Sequence, residues 1–278
     1  MKNITTIITL AISLFAATAA LSQNATPLAA GSKYVALGSS FAAGPGVPEP
    51  RGSCGRSDHN YPHLVAAALG LSLTDVSCSG ATTDHILNTP QGDAPLQIDA
   101  VTSDTALVTV TIGGNDITYT SSTFACAGTA PGERCTANLD QAMISQAVSQ
   151  LPAKLGATLD AIRAKAPRAA IVLVTYPRIF LPDATRCSEL ELSSDDIAYL
   201  AALGQQLQEA FVNVVASRQA LIADPYVLAD GHGPCEANIA DRWVNGNQVA
   251  ASGIRYHPTA EGHAEMARLV LAALGRGM

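Results

Sequence analysis

Four short segments hold groups that acyl transfer would need, and three of them follow runs that read as β-strands. GSSFAAGPG (38–46) places Ser40 after an apolar run and before a Gly-rich turn, where its hydroxyl would be exposed as a nucleophile. CSGATT (78–83) contains Gly80, which has no side chain to obstruct its N–H and could aim it into a cleft. GGND (113–116) supplies Asn115, a neutral amide that can donate to a negative oxygen without bringing a charge of its own. YHPTAEGH (256–263) sets His257 beside Pro258 at the start of a helix, a position from which the ring could act as a general base at the strand ends. Each segment has a plainer explanation by itself: ordinary Gly turns, helix capping by Asn115 or Asp116, a hydrogen-bonded structural histidine. Their joint occurrence points to one site. His263 lies well inside the last helix and is the poorer candidate for the base. His59, His63, His85 and His232 lack partners at telling spacing and read as structural or solvated.

The elements that must position these groups can be traced along the chain. YVALG (34–38), LTDVSC (73–78), ALVTVTIG (106–113), AAIVLVTY (169–176) and ALIAD (220–224) are short runs rich in β-branched residues, as expected of strands buried on both faces. Helical stretches lie between them at about 60–70, 138–166, 193–218 and 259–275. Alternation of this kind implies parallel strands joined by crossovers, hence a three-layer α/β/α sandwich, and ligands in such folds bind beyond the carboxyl ends of the strands.

Composition narrows the function classes. Residues 1–22 carry Lys2, an uncharged apolar stretch from Ile4 to Leu21 and small residues at its end, the pattern of a secretory signal peptide. A retained anchor is the competing reading; many threonines and a lone flanking Lys weaken it. Residues 23–33 read as a flexible lead-in and 34–278 as one domain. The formal net charge of −7, with no Lys/Arg cluster, argues against a nucleic-acid partner. Cys54, Cys78, Cys126, Cys135, Cys187 and Cys235 form an even set in an exported chain, so three disulfides are expected. Fifteen pairings are possible; sequential pairing is preferred because each bridge would close a segment between core elements. No CxxC or clustered His/Cys pair suggests a metal, and no cofactor is expected.

Taken with their order and their span of nearly the whole mature chain, Ser40, Gly80, Asn115 and His257 resemble the SGNH hydrolases, also called GDSL esterases and lipases, with GGND and HPTAEGH the most distinctive blocks. The resemblance implies a flavodoxin-like sheet of about five strands in the order 2-1-3-4-5. The cysteine arrangement is similar to that of secreted actinobacterial-type lipases, which supports sequential bridges. Two departures stand out. The family's GDS block reads GSS, with Ser39 in place of Asp, and the Asp that many members carry three residues before the histidine is Ile254 here. The third group only has to accept the N–H of the far ring nitrogen, which a carbonyl can do. A Ser-His dyad oriented by the Ile254 carbonyl is therefore expected, with Asp224 or Asp241 as loop-borne alternatives.

The expected chemistry is ester hydrolysis through an acyl-enzyme on Ser40, with an oxyanion hole made by the Ser40 and Gly80 N–H groups and the Asn115 amide. Segments 117–134 and 177–192 carry Tyr119, Phe124, Ile179, Phe180 and Leu181, which either line an acyl-chain pocket or simply cover the sheet. Lipid or short acyl esters lead as substrates, with a carbohydrate O-acyl esterase as the alternative. A non-catalytic lipid- or glycan-binding protein is a further alternative, and a metallohydrolase a remote one. The protein is expected to be a secreted or periplasmic monomer with no stable membrane insertion once the leader is removed.

Overall fold

The computed structural model describes residues 28–276 apart from 128, 130–132, 184–185 and 251. The expected signal peptide and the first part of the lead-in, residues 23–27, lie outside the described residues. The sheet is built from β1 (Lys33–Gly38), β2 (Ser72–Asp75), β3 (Leu107–Thr111), β4 (Ala170–Val174) and β5 (Leu221–Ala223). These five are all parallel, in the spatial order β2-β1-β3-β4-β5. A two-residue antiparallel ladder, Pro50–Arg51 against Arg56–Ser57, lies outside this sheet and had no counterpart in the sequence reading.

The helices are α1 (Ser40–Ala43), α2 (Tyr61–Leu69), α3 (Thr83–Leu87), α4 (Tyr119–Ala127), α5 (Gln141–Lys165), α6 (Ser194–Arg218) and α7 (Ala260–Ala273). Side chains alternate across each strand and so feed two separate cores. Val35, Leu37, Val108, Val110, Ile171 and Leu173 pack under α5 and α6, against residues such as Leu155, Leu159, Leu203 and Phe211. Tyr34, Ala36, Leu107, Val172 and Val174 pack under α2 and α7, against Val65, Met266 and Val270. Truncating one of these buried aliphatic side chains to Ala would cost about 2–5 kcal/mol.

The long helices begin where the sequence offers a side-chain cap. Asn60 accepts from the His63 N–H, Asp140 from Met143, Ser193 from Asp196 and Thr259 from Gly262. The last helix thus starts at Ala260, with Thr259 as its cap and Pro258 just outside it. Among the described residues, no helix is long and apolar enough to cross a membrane.

Two expectations need correcting. The outer strands are not buried on both faces: β2 alternates exposed and half-buried, and Leu221 of β5 is exposed. They are the two edges of the sheet, each lacking a neighbour on one side. The second run also pairs earlier than 73–78, but Val76 and Cys78 still donate to the Ala36 and Gly38 carbonyls, so the chain hugs β1 up to the loop that bears Gly80.

The bridges are Cys54–Cys78, Cys126–Cys135 and Cys187–Cys235. The first pins the start of the Gly80 loop. In the chain-entropy account, a loop of its length is stabilised by about 3 kcal/mol.

Candidate active site

The site forms at the carboxyl ends of β1, β2 and β3, where the last helix returns. Ser40 is the first residue of α1, separated from β1 by Ser39 alone. The turn before it is held on two sides. The Ser39 N–H donates to the Thr111 carbonyl at 2.9 Å, and the Gln97 amide makes paired bonds to Gly38, accepting its N–H at 2.8 Å and donating to its C=O at 3.0 Å. As a first-turn residue, Ser40 has a backbone N–H that its own helix cannot use.

His257 arrives from the other end of the chain. Its backbone is fixed where the Asn245 N–H donates to the His257 carbonyl at 3.0 Å and Val244 bridges to Pro258. Its Nε2 lies 2.8 Å from the Ser40 Oγ, close enough for the hydroxyl to donate to it. Its Nδ1 lies 2.8 Å from the Arg255 carbonyl, which can only accept, so Nδ1 carries the proton and Nε2 is the free base. Ser40 and His257 are both buried, and the rings of Phe41 and Phe124 lie 4.8 and 6.0 Å from the imidazole. Burial pushes the His257 pKa down to about 4, only partly offset by the bond to Arg255, so the ring is neutral at ordinary pH.

The acceptor differs from expectation. The Ile254 carbonyl is already occupied by the His257 N–H at 3.2 Å and by the Asn245 amide at 3.2 Å, and the next carbonyl along, that of Arg255, reaches the ring instead. Tyr256 makes this possible: it is buried with a φ of 55°, a left-handed conformation costly for a bulky residue, and is held by its N–H to the Gly246 carbonyl and its phenol to the Leu190 carbonyl. Neither alternative carboxylate bonds to the ring. Asp224 accepts from Thr175, Gln208 and Tyr226, and Asp241 from Asn238.

The donor loops are stitched to each other. Gly80 has a φ of 83°, which suits Gly and which other residues adopt only with strain. The Asn115 amide donates to the Ala81 carbonyl at 2.9 Å, and among the described residues its second hydrogen has no acceptor. Asp116, its side chain almost fully buried, accepts from the Thr83 N–H at 3.0 Å and the Thr83 hydroxyl at 2.5 Å, with Lys154 of α5 at 3.6 Å. Among the described residues, neither the Ser40 nor the Gly80 N–H has a backbone carbonyl partner.

Several sequence candidates lie elsewhere. Tyr119, Ile179 and Phe180 are buried in the core and Leu181 is half-buried; of the five proposed pocket residues, Phe124 is the one whose ring faces His257. His263 is buried against α2, where its Nδ1 accepts the Tyr61 N–H. His85 closes a capping box with Thr82, and His232 stacks on Trp243. Cys126, Cys135 and Asp196 cluster, but both sulfurs are in a disulfide and Asp196 accepts from Cys135, Thr136 and Ser193, so the group offers no free thiolate. Sequence reasoning missed Arg255, whose contribution is a main-chain oxygen with no side-chain signature. It noticed Asp116 only as a possible cap.

The profile of the GDSL-like Lipase/Acylhydrolase family matches residues 36–265, which contain every residue of this site. The chain belongs to that family. Among its relatives, Lipase 2 of Streptomyces coelicolor is 35% identical over 280 residues, covering 96% of this chain and 93% of the relative. The crystal structure of an extracellular lipase from Streptomyces rimosus superposes with a TM-score of 0.72 at 30% identity, covering 89% of this chain and 100% of that one. That of phospholipase A1 from Streptomyces albidoflavus superposes with a TM-score of 0.70 at 28% identity, covering 90% and 100%. As a member of the GDSL lipase/acylhydrolase family the chain is a carboxylic-ester hydrolase.

Proposed function

We propose that this protein is a secreted serine esterase or lipase in which Ser40 is the nucleophile and His257 the general base, acting on lipid or short acyl esters. The observation that carries the reading is the relay from the Ser40 Oγ to Nε2 of His257 and from Nδ1 to the Arg255 carbonyl, each step 2.8 Å long. His257 takes the Ser40 proton as the oxygen attacks the ester carbonyl. The resulting oxyanion is held by the Ser40 and Gly80 N–H groups and the free hydrogen of the Asn115 amide. The imidazolium then gives its proton to the leaving alcohol, and an acyl-enzyme remains. Water, deprotonated by the same ring, releases the acid and restores Ser40. The Arg255 carbonyl holds the tautomer but supplies only a partial negative charge to the imidazolium.

Lipid esters are favoured by Phe124 beside the base and by relatives named as lipases and a phospholipase A1. Residues 1–22 act as a cleaved leader, 23–33 as a lead-in and 34–278 as one monomeric hydrolase domain. Export is supported by three disulfides and by an extracellular relative.

The test is incubation with p-nitrophenyl esters of graded chain length and with a fluorophosphonate. Turnover with a covalent adduct on Ser40, both abolished in Ser40→Ala, is the expected result. A folded protein that gives neither is a binding protein, and the reading fails.

A further inference from the structure

Tyr176 follows β4, buried, at the carboxyl edge of the sheet. No part of the relay from Ser40 to Arg255 uses it. Its phenol oxygen nevertheless accepts the Gly114 N–H at 3.1 Å and lies 3.2 Å from the Ser39 Oγ. With the Gly114 N–H on the oxygen, the phenol's own proton is left to be donated to Ser39. Burial raises the phenol pKa to about 12, so that proton is retained throughout the working range. The ring is wedged between Phe41, at 4.4 Å, and Phe211, at 6.0 Å.

The two partners stand immediately before the two residues that matter most: Ser39 precedes Ser40, and Gly114 precedes Asn115. Both are shaped for the contact. A Cβ at position 114 would sit 3.0 Å from the phenol oxygen and two ring carbons, so the absence of a side chain there admits the ring. Ser39 occupies the cap position of α1 yet makes no side-chain capping bond, and its hydroxyl faces the phenol instead. This is also the position where the family's usual Asp is replaced. The other ties described above join the Gly80 loop to the Asn115 loop, or Ser39 to β3 through its backbone. Among the hydrogen bonds of the described residues, those of the phenol are the ones that bridge the nucleophile turn and the GGND loop through a side chain.

We propose that Tyr176 is a positioning residue that fixes the Asn115 amide relative to Ser40, with Ser39 as its partner on the nucleophile side. The inference rests on the Ser40 reading above and adds to it. An oxyanion donor acts only from the right distance, so a loop displaced by a fraction of an ångström loses part of the contribution Asn115 makes in the transition state while substrate binding is spared.

The experiment is a double-mutant cycle read with p-nitrophenyl butyrate. Tyr176→Phe should lower kcat by about 5- to 30-fold with KM changed less than about twofold, and should leave the acid limb of the pH profile in place. In an Asn115→Ala background the same substitution should cost less than about twofold, because the donor it positions is gone. Ser39→Ala, which removes one oxygen and leaves the ring packing whole, should show the same pattern with a smaller first step and serves if Tyr176→Phe does not fold. Full kcat in Tyr176→Phe and Ser39→Ala, or an equal loss in both backgrounds, overturns the proposal. Ser40→Ala run alongside separates the two ideas: if it keeps turnover, the nucleophile assignment falls, whereas an inactive Ser40→Ala with an unimpaired Tyr176→Phe removes the phenol tie alone.

Discussion

His257 and His263 come from the same short block, both are buried, and the pKa of both is depressed by burial, to about 4 and about 3. What separates them is the pair of atoms at their ring nitrogens. His257 gives its Nδ1 proton to a carbonyl and turns a bare Nε2 toward a hydroxyl. His263 is the opposite tautomer: its Nδ1 accepts the Tyr61 N–H at 3.2 Å, so Nε2 holds the proton, buried and, among the described residues, without a hydrogen-bond partner. The Tyr61 N–H is one of the orphan donors in the first turn of α2, so His263, from α7, acts as a cap for its neighbour and ties together the helices on that face. Burial and a low pKa therefore do not identify a base. An open lone pair facing a nucleophile does.

The largest effect expected from this contrast is on turnover. His257→Gln should reduce kcat by about 10⁴-fold or more, whereas His263→Leu, measured per folded molecule, should stay within about tenfold of the parent. A folded but equally inactive His263→Leu would break the comparison.

Next in size is a stability effect that runs the other way. His263→Leu leaves the Tyr61 N–H buried without an acceptor, and denaturant titration should show a loss of about 1–3 kcal/mol. His257→Gln should cost less than this, or even stabilise, because it relieves an arrangement kept for reactivity.

The pH dependence sharpens the same point. An unfolded histidine titrates near 6.5, while both native rings stay neutral well below that. As the pH falls from about 6.5 toward 4, the unfolded chain takes up protons that the native protein refuses, and stability drops by up to about 1.4 kcal/mol per pH unit for each ring. Thermal melts across this window should show the fall, and His263→Leu should reduce its slope. Smallest of all is a displacement along the pH axis: the acid limb of kcat/KM should lie near pH 4, set by His257, and should not move in His263→Leu. A limb near 6.5 would mean that the base is solvated in the working enzyme.

Much of this was legible from the residues. The central runs at 34–38, 106–113 and 169–176 form strands because their β-branched side chains fill both cores, and the helical stretches expected at about 60–70, 138–166, 193–218 and 259–275 correspond to α2, α5, α6 and α7. Ser40 and His257, proposed as partners across almost the full mature chain, lie within hydrogen-bond distance. The outer strands were read as more buried than they are, since runs as short as LTDVSC and ALIAD do not say whether a neighbour will lie on their far side. The histidine's acceptor was placed one residue too early. Its position depends on the left-handed turn at Tyr256 and on Asn245 claiming the Ile254 oxygen, both tertiary facts without a local motif. Asp116 could be recognised as a possible helix cap at a strand end, but only the folded chain shows that the helix it serves is α3, whose first N–H and hydroxyl, those of Thr83, it accepts, and not the helix that follows it in sequence.

The partner of His257 is an oxygen that every amino acid possesses. No replacement of the side chain at position 255 can delete it, and it has no ionisation of its own that acid could reverse. The vulnerable point is displaced to the path of the backbone, which depends on Tyr256 keeping its unfavourable bend. Heritable damage to the base's orientation should therefore concentrate in positions that touch no reacting atom: Tyr256, whose phenol holds the bend to the Leu190 carbonyl, and Gly246, where any Cβ would collide with the Glu189 carbonyl.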